Sequence, residues 1–278
     1  MPRRSSAPQE RLEAIEILLL WEGRVSRSRM LSLFDVHETL ASRDITNYRL
    51  QYPDACEPEM ASKSYVASWG LRPQLTVGEF GEYQRLIGAS RGLDGVATCV
   101  PFEHSQIDAT AIRYPMFSQI HQAIALSRCI KVQYRSMTNP QGQDRIIRPH
   151  ALIQAGPRWH VRAFCSKAQE FRDFNLGRIL TVSASEQADL QSGDQDQTWH
   201  QMISIRLVPH SGLSAAQAMM VRDEYMGGTV AKVFTVRASM AKYLIQSFRA
   251  AVDPDREKAP EHLLMVANPK ELPAGSTW

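Results

Sequence analysis

Apolar positions fall into three regimes along the chain. Over the first fifty residues they recur at helical spacing. Leu12, Ile15 and Leu19 predict an amphipathic helix over 10–21, and Ala41, Ile45 and Tyr48 predict the inward face of a helix over 38–50. Between these, Gly23 ends the first helix, Ser26 is placed to cap a short second helix over 27–34, and Asp35-Val36-His37 forms a turn. Pro53 stops the third helix. Beyond it, Glu57 leads through the polar turn Ala61-Ser62-Lys63 into the β-prone run Ser64-Tyr65-Val66-Ala67-Ser68, which predicts a hairpin. Three helices with a short turn before the third, followed by a hairpin, predict a winged helix-turn-helix over 1–72.

Residues 73–115 show little period. A short helix over 79–87 and a glycine-rich loop over 88–95 make this segment a helical connector. From Met116 the pattern sharpens. Phe117, Ile120 and Ile124 mark a helix, and strict alternation then begins at Ile130-Lys131-Val132-Gln133-Tyr134-Arg135. Further strands are predicted over 145–153, 158–164 and 171–176, with turns at Asn139-Pro140-Gln141-Gly142 and Ala155-Gly156-Pro157. Short strands at this spacing predict a small β-barrel over 116–186. A polar stretch over 187–197 reads as a linker. Strands and helices then alternate over 197–278, which predicts a small α/β domain. The expected fold class is therefore α+β and multidomain.

Composition narrows the function classes. Hydrophobic residues make up 44% and charged residues 22%, the values of a folded chain. No apolar run approaches the length of a membrane span. The stretch Ile17–Trp21, flanked by Glu16 and Glu22, is too short and too charged for a secretory signal, so a cytoplasmic protein is expected. Cys56, Cys99, Cys129 and Cys165 form no C-x-x-C pair, which predicts reduced thiols and no structural metal. Phosphate-loop, nucleophile-elbow, zinc-protease and dinucleotide motifs are missing, and no acid near His160 in sequence would orient it as a base. A non-enzyme without cofactor is expected.

Charge is informative in its distribution. The net charge is only +3, but 117–180 holds ten basic residues against three acids, an excess of seven. That points to an anionic ligand for the middle segment, with a solvated basic face as the alternative. In the strand 158–164, Arg158, His160 and Arg162 alternate with Trp159, Val161 and Ala163. Unpaired guanidinium groups are not buried in a small barrel, so these arginines are expected to face a groove, another domain or an anion. Residues 1–72 hold ten bases and ten acids, so DNA binding there would depend on placement. Thr39, Ser42, Arg43, Thr46 and Asn47 line the outer face of the third helix and suit base edges. Arg24, Arg27 and Arg29 are placed for phosphates, and Lys63 sits in the hairpin turn. A helical interaction domain with a polar face is the competing reading.

A resemblance adds to this. The phrases Ile130–Ser136, Arg148-Pro149-His150, Gly156–Ala163 and Phe171–Ile179 resemble a WYL domain, with Trp159-His160-Val161 where the family has Trp-Tyr-Leu. His at the second position, Ala41-Ser42-Arg43-Asp44-Ile45 in the third helix, and Pro209-His210 with Leu213 and Gln217 are similar to the BrxR/CapW-type repressors of bacterial anti-phage islands. The resemblance implies a winged helix-turn-helix, an Sm/SH3-like WYL barrel that senses a nucleotide or nucleic acid, and a C-terminal dimerisation domain. It implies a homodimeric, ligand-responsive repressor on an inverted-repeat operator of double-stranded DNA, controlling a phage-defence operon. The ligand site it implies comprises Tyr134, Ser136, His150, Trp159, His160, Arg162, Phe174 and Arg178. By their own chemistry the arginines can fork onto phosphate and Trp159 or Phe174 can stack on a base. Core positions for Trp159 and Tyr134 remain the alternative. Rival functions are a DNA-damage-type WYL activator and a non-regulatory binder of single-stranded nucleic acid.

Overall fold

The computed structural model describes residues 7–89, 112–187 and 189–273. Cys99 and the expected loop beyond residue 89 lie outside the described residues. The chain divides into two compact units, 1–191 and 192–278.

Helix α1 (Pro8–Trp21) organises the first unit. The periodicity of Leu12, Ile15 and Leu19 predicts an amphipathic helix, but every residue from Ala14 to Trp21 is buried. The helix is apolar on more than one side because it faces two cores. Ile15, Leu18 and Leu19 join a cluster with Val25, Met30, Ala41, Ile45 and Tyr48. Ile17, Leu20 and Trp21 join another with Phe80, Phe117, Trp159 and Phe174. A helix apolar all round is a buried helix.

The first core is closed by β1 (Arg24–Ser26), α2 (Arg27–Leu33), α3 (Glu38–Gln51), β2 (Cys56–Glu59) and β3 (Ser64–Ala67). The three strands form an antiparallel sheet in the order β1-β3-β2. The Ser26 hydroxyl accepts from the Arg29 amide at 3.2 Å and caps α2, as its position suggests. Ala41, Ile45 and Tyr48 are buried on α3 as their spacing requires, and Asp44 is buried beside them. Its carboxylate takes Arg11 Nε at 2.6 Å, with both side chains almost fully enclosed. This pair fixes α3 against α1.

The second core is built from α4 (Phe80–Ala89), α5 (Tyr114–Ala125) and a sheet of β4 (Ile130–Tyr134), β5 (Gln143–Ala155), β6 (Arg158–Cys165), β7 (Glu170–Asn175) and β8 (Ile179–Ala184). The order is β7-β6-β5-β4-β8, antiparallel throughout. Strand β8 was not expected from the sequence pattern. The barrel expectation needs correction: no ladder joins β7 to β8, so the sheet is open. These edge strands are consecutive and joined by the 3-10 turn Leu176–Arg178. Local alternation describes an open and a closed sheet equally, and only edge pairing distinguishes them.

Gly23 sits where the two cores meet. Its φ is +72°, and a Cβ there would lie 1.9 Å from Gln122 Nε2 on α5. The left-handed φ favours glycine here, and a larger side chain would also have to push the Gln122 amide aside.

The second unit holds α6 (Gln197–His200), β9 (Met202–Pro209), α7 (Ala215–Met226), β10 (Lys232–Arg237), α8 (Ala241–Ser247) and β11 (Leu264–Val266). Its sheet is antiparallel in the order β10-β9-β11, so the helices pack on an antiparallel ribbon and not on the parallel strands of an α/β layer. Ile205, Leu207, Val221, Ala241, Ile245 and Leu264 form its core.

Asp44→Ala should destabilise the first unit by about 3–5 kcal/mol, because it strands the Arg11 charge in the interior. Chemical denaturation of single and double variants checks this. The double change Arg11→Met with Asp44→Leu should recover most of the loss.

Candidate DNA-reading face and effector site

On α3 the surface is divided as the 3.6-residue period dictates. Thr39, Arg43, Thr46 and Asn47 are exposed and Ser42 is half-buried. The Thr46 hydroxyl donates to the Ser42 carbonyl at 2.9 Å, while Arg43 and Asn47 are exposed and have no side-chain partner among the described residues. Arg27 is exposed at the start of α2, and Lys63 is exposed in the hairpin turn with φ +52°. These seven residues therefore lie on the helix-turn-helix and its hairpin with polar ends outward. Arg49, whose guanidinium carbon lies 4.6 Å from the Tyr65 ring centre, braces α3 against β3.

Arg29 and Arg24 do not join them. Arg29 grips Glu22 in a fork, Nε to Oε2 at 3.0 Å and Nη2 to Oε1 at 2.5 Å. Burial alone would depress the Arg29 pKa, and the Glu22 carboxylate more than reverses this. Tyr83 on α4 also donates to Glu22 at 3.2 Å. Burial and the Glu22 charge together push the phenol pKa upward. His121 on α5 lies near this group, and burial lowers its pKa. Arg24 reaches Glu59 at 3.7 Å. Both arginines thus have acidic partners that separation in sequence conceals.

A second buried carboxylate faces the other way. Glu16 is fully enclosed and accepts from the Tyr48 hydroxyl at 3.1 Å, from the Gln74, Leu75 and Thr76 amides at 2.9–3.0 Å, and from the Thr76 hydroxyl at 2.9 Å. It ties the segment leaving the hairpin to α1 and α3.

The eight residues of the expected ligand site fall on two sides of the five-stranded sheet. Side chains alternate along a strand. Trp159 and Phe174 are buried in the second core, and Tyr134 packs against it with its ring 5.1 Å from Phe174. Trp159 meets Phe80 edge-on at 5.1 Å and Phe117 at 6.5 Å. On the other side lie His160, Arg162 and the bulge residue His150, whose ring is 5.6 Å from Phe171. Arg162 stands opposite Asp173 in the β6–β7 ladder, and its Nη1 lies 2.8 Å from the Asp173 Oδ1. The expectation that Arg162 must face a groove, a domain or an anion is therefore corrected. Its charge is met within the sheet, by an acid eleven residues away.

The end of β4 brings together Ser136, Arg178 and their neighbour Arg135, while Arg158 opens β6 opposite Ala155 at the far end of β5. The Arg135 amide donates to the Arg178 carbonyl at 2.9 Å, and the Asn175 amide donates to the Tyr134 hydroxyl at 3.3 Å. Asn175 is in turn the ladder partner of His160. Ser136 follows Arg135 and accepts from the Asn139 amide at 3.0 Å, which closes a turn. Arg178 is half-exposed, and Arg135 and Arg158 are exposed; none of the three has an acidic partner among the described residues. The sequence reading takes Arg135 as charge only and groups Arg158 with Arg162 among the arginines expected to face a groove, a domain or an anion. Their strand-end positions, just before and after turns, were the available signal. No group of three metal-ligating side chains occurs among the described residues.

Comparison with known proteins bears on this geometry. Residues 8–89 match the BrxR transcriptional regulator winged helix-turn-helix domain, 115–184 the WYL domain, and 202–272 the BrxR transcriptional regulator C-terminal dimerization domain. The DNA-binding transcriptional repressor CapW of Pseudomonas aeruginosa is 30% identical over 239 residues, covering 78% of this chain and 75% of its own. The chain belongs to the CapW/BrxR family of WYL-domain transcriptional regulators. CapW of Escherichia coli (strain KTE188), another member, is 28% identical over 274 residues, 95% of this chain and 89% of its own. Among solved structures, proteasome accessory factor B/C of Arthrobacter aurescens covers 98% of this chain at 14% identity and TM-score 0.28. The chain spans 48% of that structure's length, and so low a score carries no argument. Among the described residues, no helix is long and apolar enough to cross a membrane.

Three substitutions separate core from surface at this site. Trp159→Ala should lower stability by about 3–5 kcal/mol without any ligand present. Arg162→Ala should cost a similar amount, about 3–5 kcal/mol, because it removes the cation facing the buried Asp173 carboxylate. Arg178→Ala should stay within about 0.5 kcal/mol of the parent. Urea denaturation of the three variants checks the order.

Proposed function

We propose that this protein is a homodimeric transcriptional repressor that reads an inverted-repeat DNA operator through α3 and releases it when an anionic effector binds the WYL sheet. The observation that carries the DNA reading is the face of α3. It is polar, carries Arg43 and Asn47 unpaired, and is locked in place from behind by the Arg11–Asp44 pair. Arg and Asn are the side chains best shaped for guanine and adenine edges. Arg27 and Lys63 flank this face and would hold phosphates. The names of the CapW relatives support repression in preference to activation. The family also supports a regulator and not an enzyme, and a defence operon in the style of the anti-phage islands is the expected target. Two copies would span half-sites about one helical turn apart.

For the effector, the reading moves from the eight residues expected at first to one end of the sheet. Arg135 and Arg178 meet there through the Arg135 amide and the Arg178 carbonyl, and neither has an acidic partner among the described residues; Ser136 follows Arg135. That end suits the phosphate of a nucleotide or of a nucleic-acid terminus. Trp159, Phe174 and Tyr134 then serve as the floor behind it.

Nuclease footprinting on the DNA upstream of the protein's own gene tests the reading. A protected inverted repeat is expected, and uniform protection without a preferred site would contradict it. Arg43→Ala and Asn47→Ala should each weaken operator binding by about 1–3 kcal/mol. Arg178→Ala should retain operator affinity and its salt dependence while losing release by effector. A shallower salt slope in Arg178→Ala would instead place that arginine on operator phosphates.

A further inference from the structure

In the second unit, α7 (Ala215–Met226) breaks the rule for a surface helix. Eight of its twelve residues are Ala, Met, Val or Tyr, yet only Val221 and Met226 are buried. Ala215, Ala216, Met219 and Met220 are exposed, the two methionines at 61% and 57%. Two adjacent methionines left more than half exposed make an apolar patch, the kind of surface that ordinarily meets a partner.

The exposed positions have an internal symmetry. Met219 and Met220 lie at the middle of the exposed stripe. Counting outward from between them, Ala216 is matched by Asp223 and Ala215 by Glu224, and all six are exposed. Beyond the helix ends, exposed Gly212 and Gly227 are matched in the same way, while exposed Ser214 and Gln217 stand opposite half-buried Tyr225 and Arg222. An antiparallel copy of the helix laid across this stripe would set methionine on methionine at the centre. It would set alanine against acid on either side and leave room for close approach at the ends.

The charges fit the same arrangement. The first turn of α7 holds no acid and the last turn no base. Its acids, Asp223 and Glu224, lie instead in the C-terminal half, where they oppose the helix's own dipole. In an antiparallel pair each acid would come beside the positive N-terminal end of the other helix. A two-fold contact requires this self-complementarity, with residue i meeting j and j meeting i.

We propose that α7 is the self-association helix of this protein: a second copy of the chain packs its own α7 antiparallel on it, about a two-fold axis between Met219 and Met220. This rests on the homodimer reading above and names the surface that carries it. The match of residues 202–272 to a dimerization domain places the contact in this unit, and the α7 face is the part of the unit whose chemistry asks for a like partner. Unbranched methionines adapt to each other across such a crossing, and small residues beside them let the backbones approach.

Sedimentation equilibrium of the full chain tests the proposal. Met219→Asp should raise the dimer dissociation constant by about 100-fold or more, since one substitution enters the interface twice. Val233→Asp, at an exposed position on β10, should leave it unchanged. Met219→Cys should form a covalent dimer on mild oxidation, with the parent chain and Val233→Cys as controls that do not. A parent chain that sediments as a monomer would contradict the homodimer reading itself. A dimeric parent whose Met219→Asp variant stays dimeric, or which cross-links through Val233→Cys and not Met219→Cys, would overturn the α7 assignment alone.

Discussion

Helix α1 is buried on two sides, and the arrangement of the first unit follows from that constraint. One side of it closes the core under α3, and another closes the core behind the WYL sheet. Trp21, at its end, is the hinge of the second. Its ring lies 5.0 Å from Phe80, 6.2 Å from Tyr83, 5.7 Å from Phe117 and 6.1 Å from Tyr114. Phe80 and Phe117 pass the contact to Trp159 in β6. Edge-to-face pairs of this kind contribute roughly 0.5–1.5 kcal/mol each beyond their burial. Interiors this dense do not deform smoothly, so a displacement of the sheet is felt at α1. Helix α3 and the five-stranded sheet thus share one rigid part.

The polar groups on α1 bring direction to that link. A buried carboxylate is tolerated only when its hydrogen-bonding capacity is filled, and Glu16 and Glu22 are filled from different elements. Glu16 holds the strand-exit segment 74–76 and Tyr48 of α3. Glu22 holds Arg29 of α2 and Tyr83 of α4. A shift of α4 or α5 therefore disturbs α2 through ion pairing as well as through packing. An effector bound as proposed would have a physical path to the helix-turn-helix, and the operator would feel it as a change in the populations of two states.

The sequence made much of this legible, and the failures have a common cause. The inward face of α3, the Ser26 cap, the hairpin turn at Lys63 and the strand β4 all follow from short-range period and turn chemistry. What stayed hidden depends on pairing between distant residues. Arg29 reads as a phosphate ligand until Glu22 is found beside it, and Arg162 reads as an anion ligand until β6 and β7 are set in register with Asp173. Alternation alone placed His160 and Trp159 on opposite faces, which already argued against one pocket holding both. The open sheet, the antiparallel ribbon of the second unit and the second buried side of α1 are likewise tertiary facts. Leu12, Ile15 and Leu19 mark only one side of that helix; Ile17 and Leu20 carried the other signal.

The central claim is that the DNA-reading helices and the WYL sheet are one cooperative body joined through α1. Native-state hydrogen exchange of the full chain, parent against Phe117→Leu, tests it most directly. Phe117 lies on α5, fully buried, and makes no contact with α3 of its own. The account predicts that the slowest-exchanging amides of 38–51 and of 158–165 lose protection together, by the same amount, on the order of 1–2 kcal/mol. Loss confined to 158–165, with 38–51 unchanged, would contradict it.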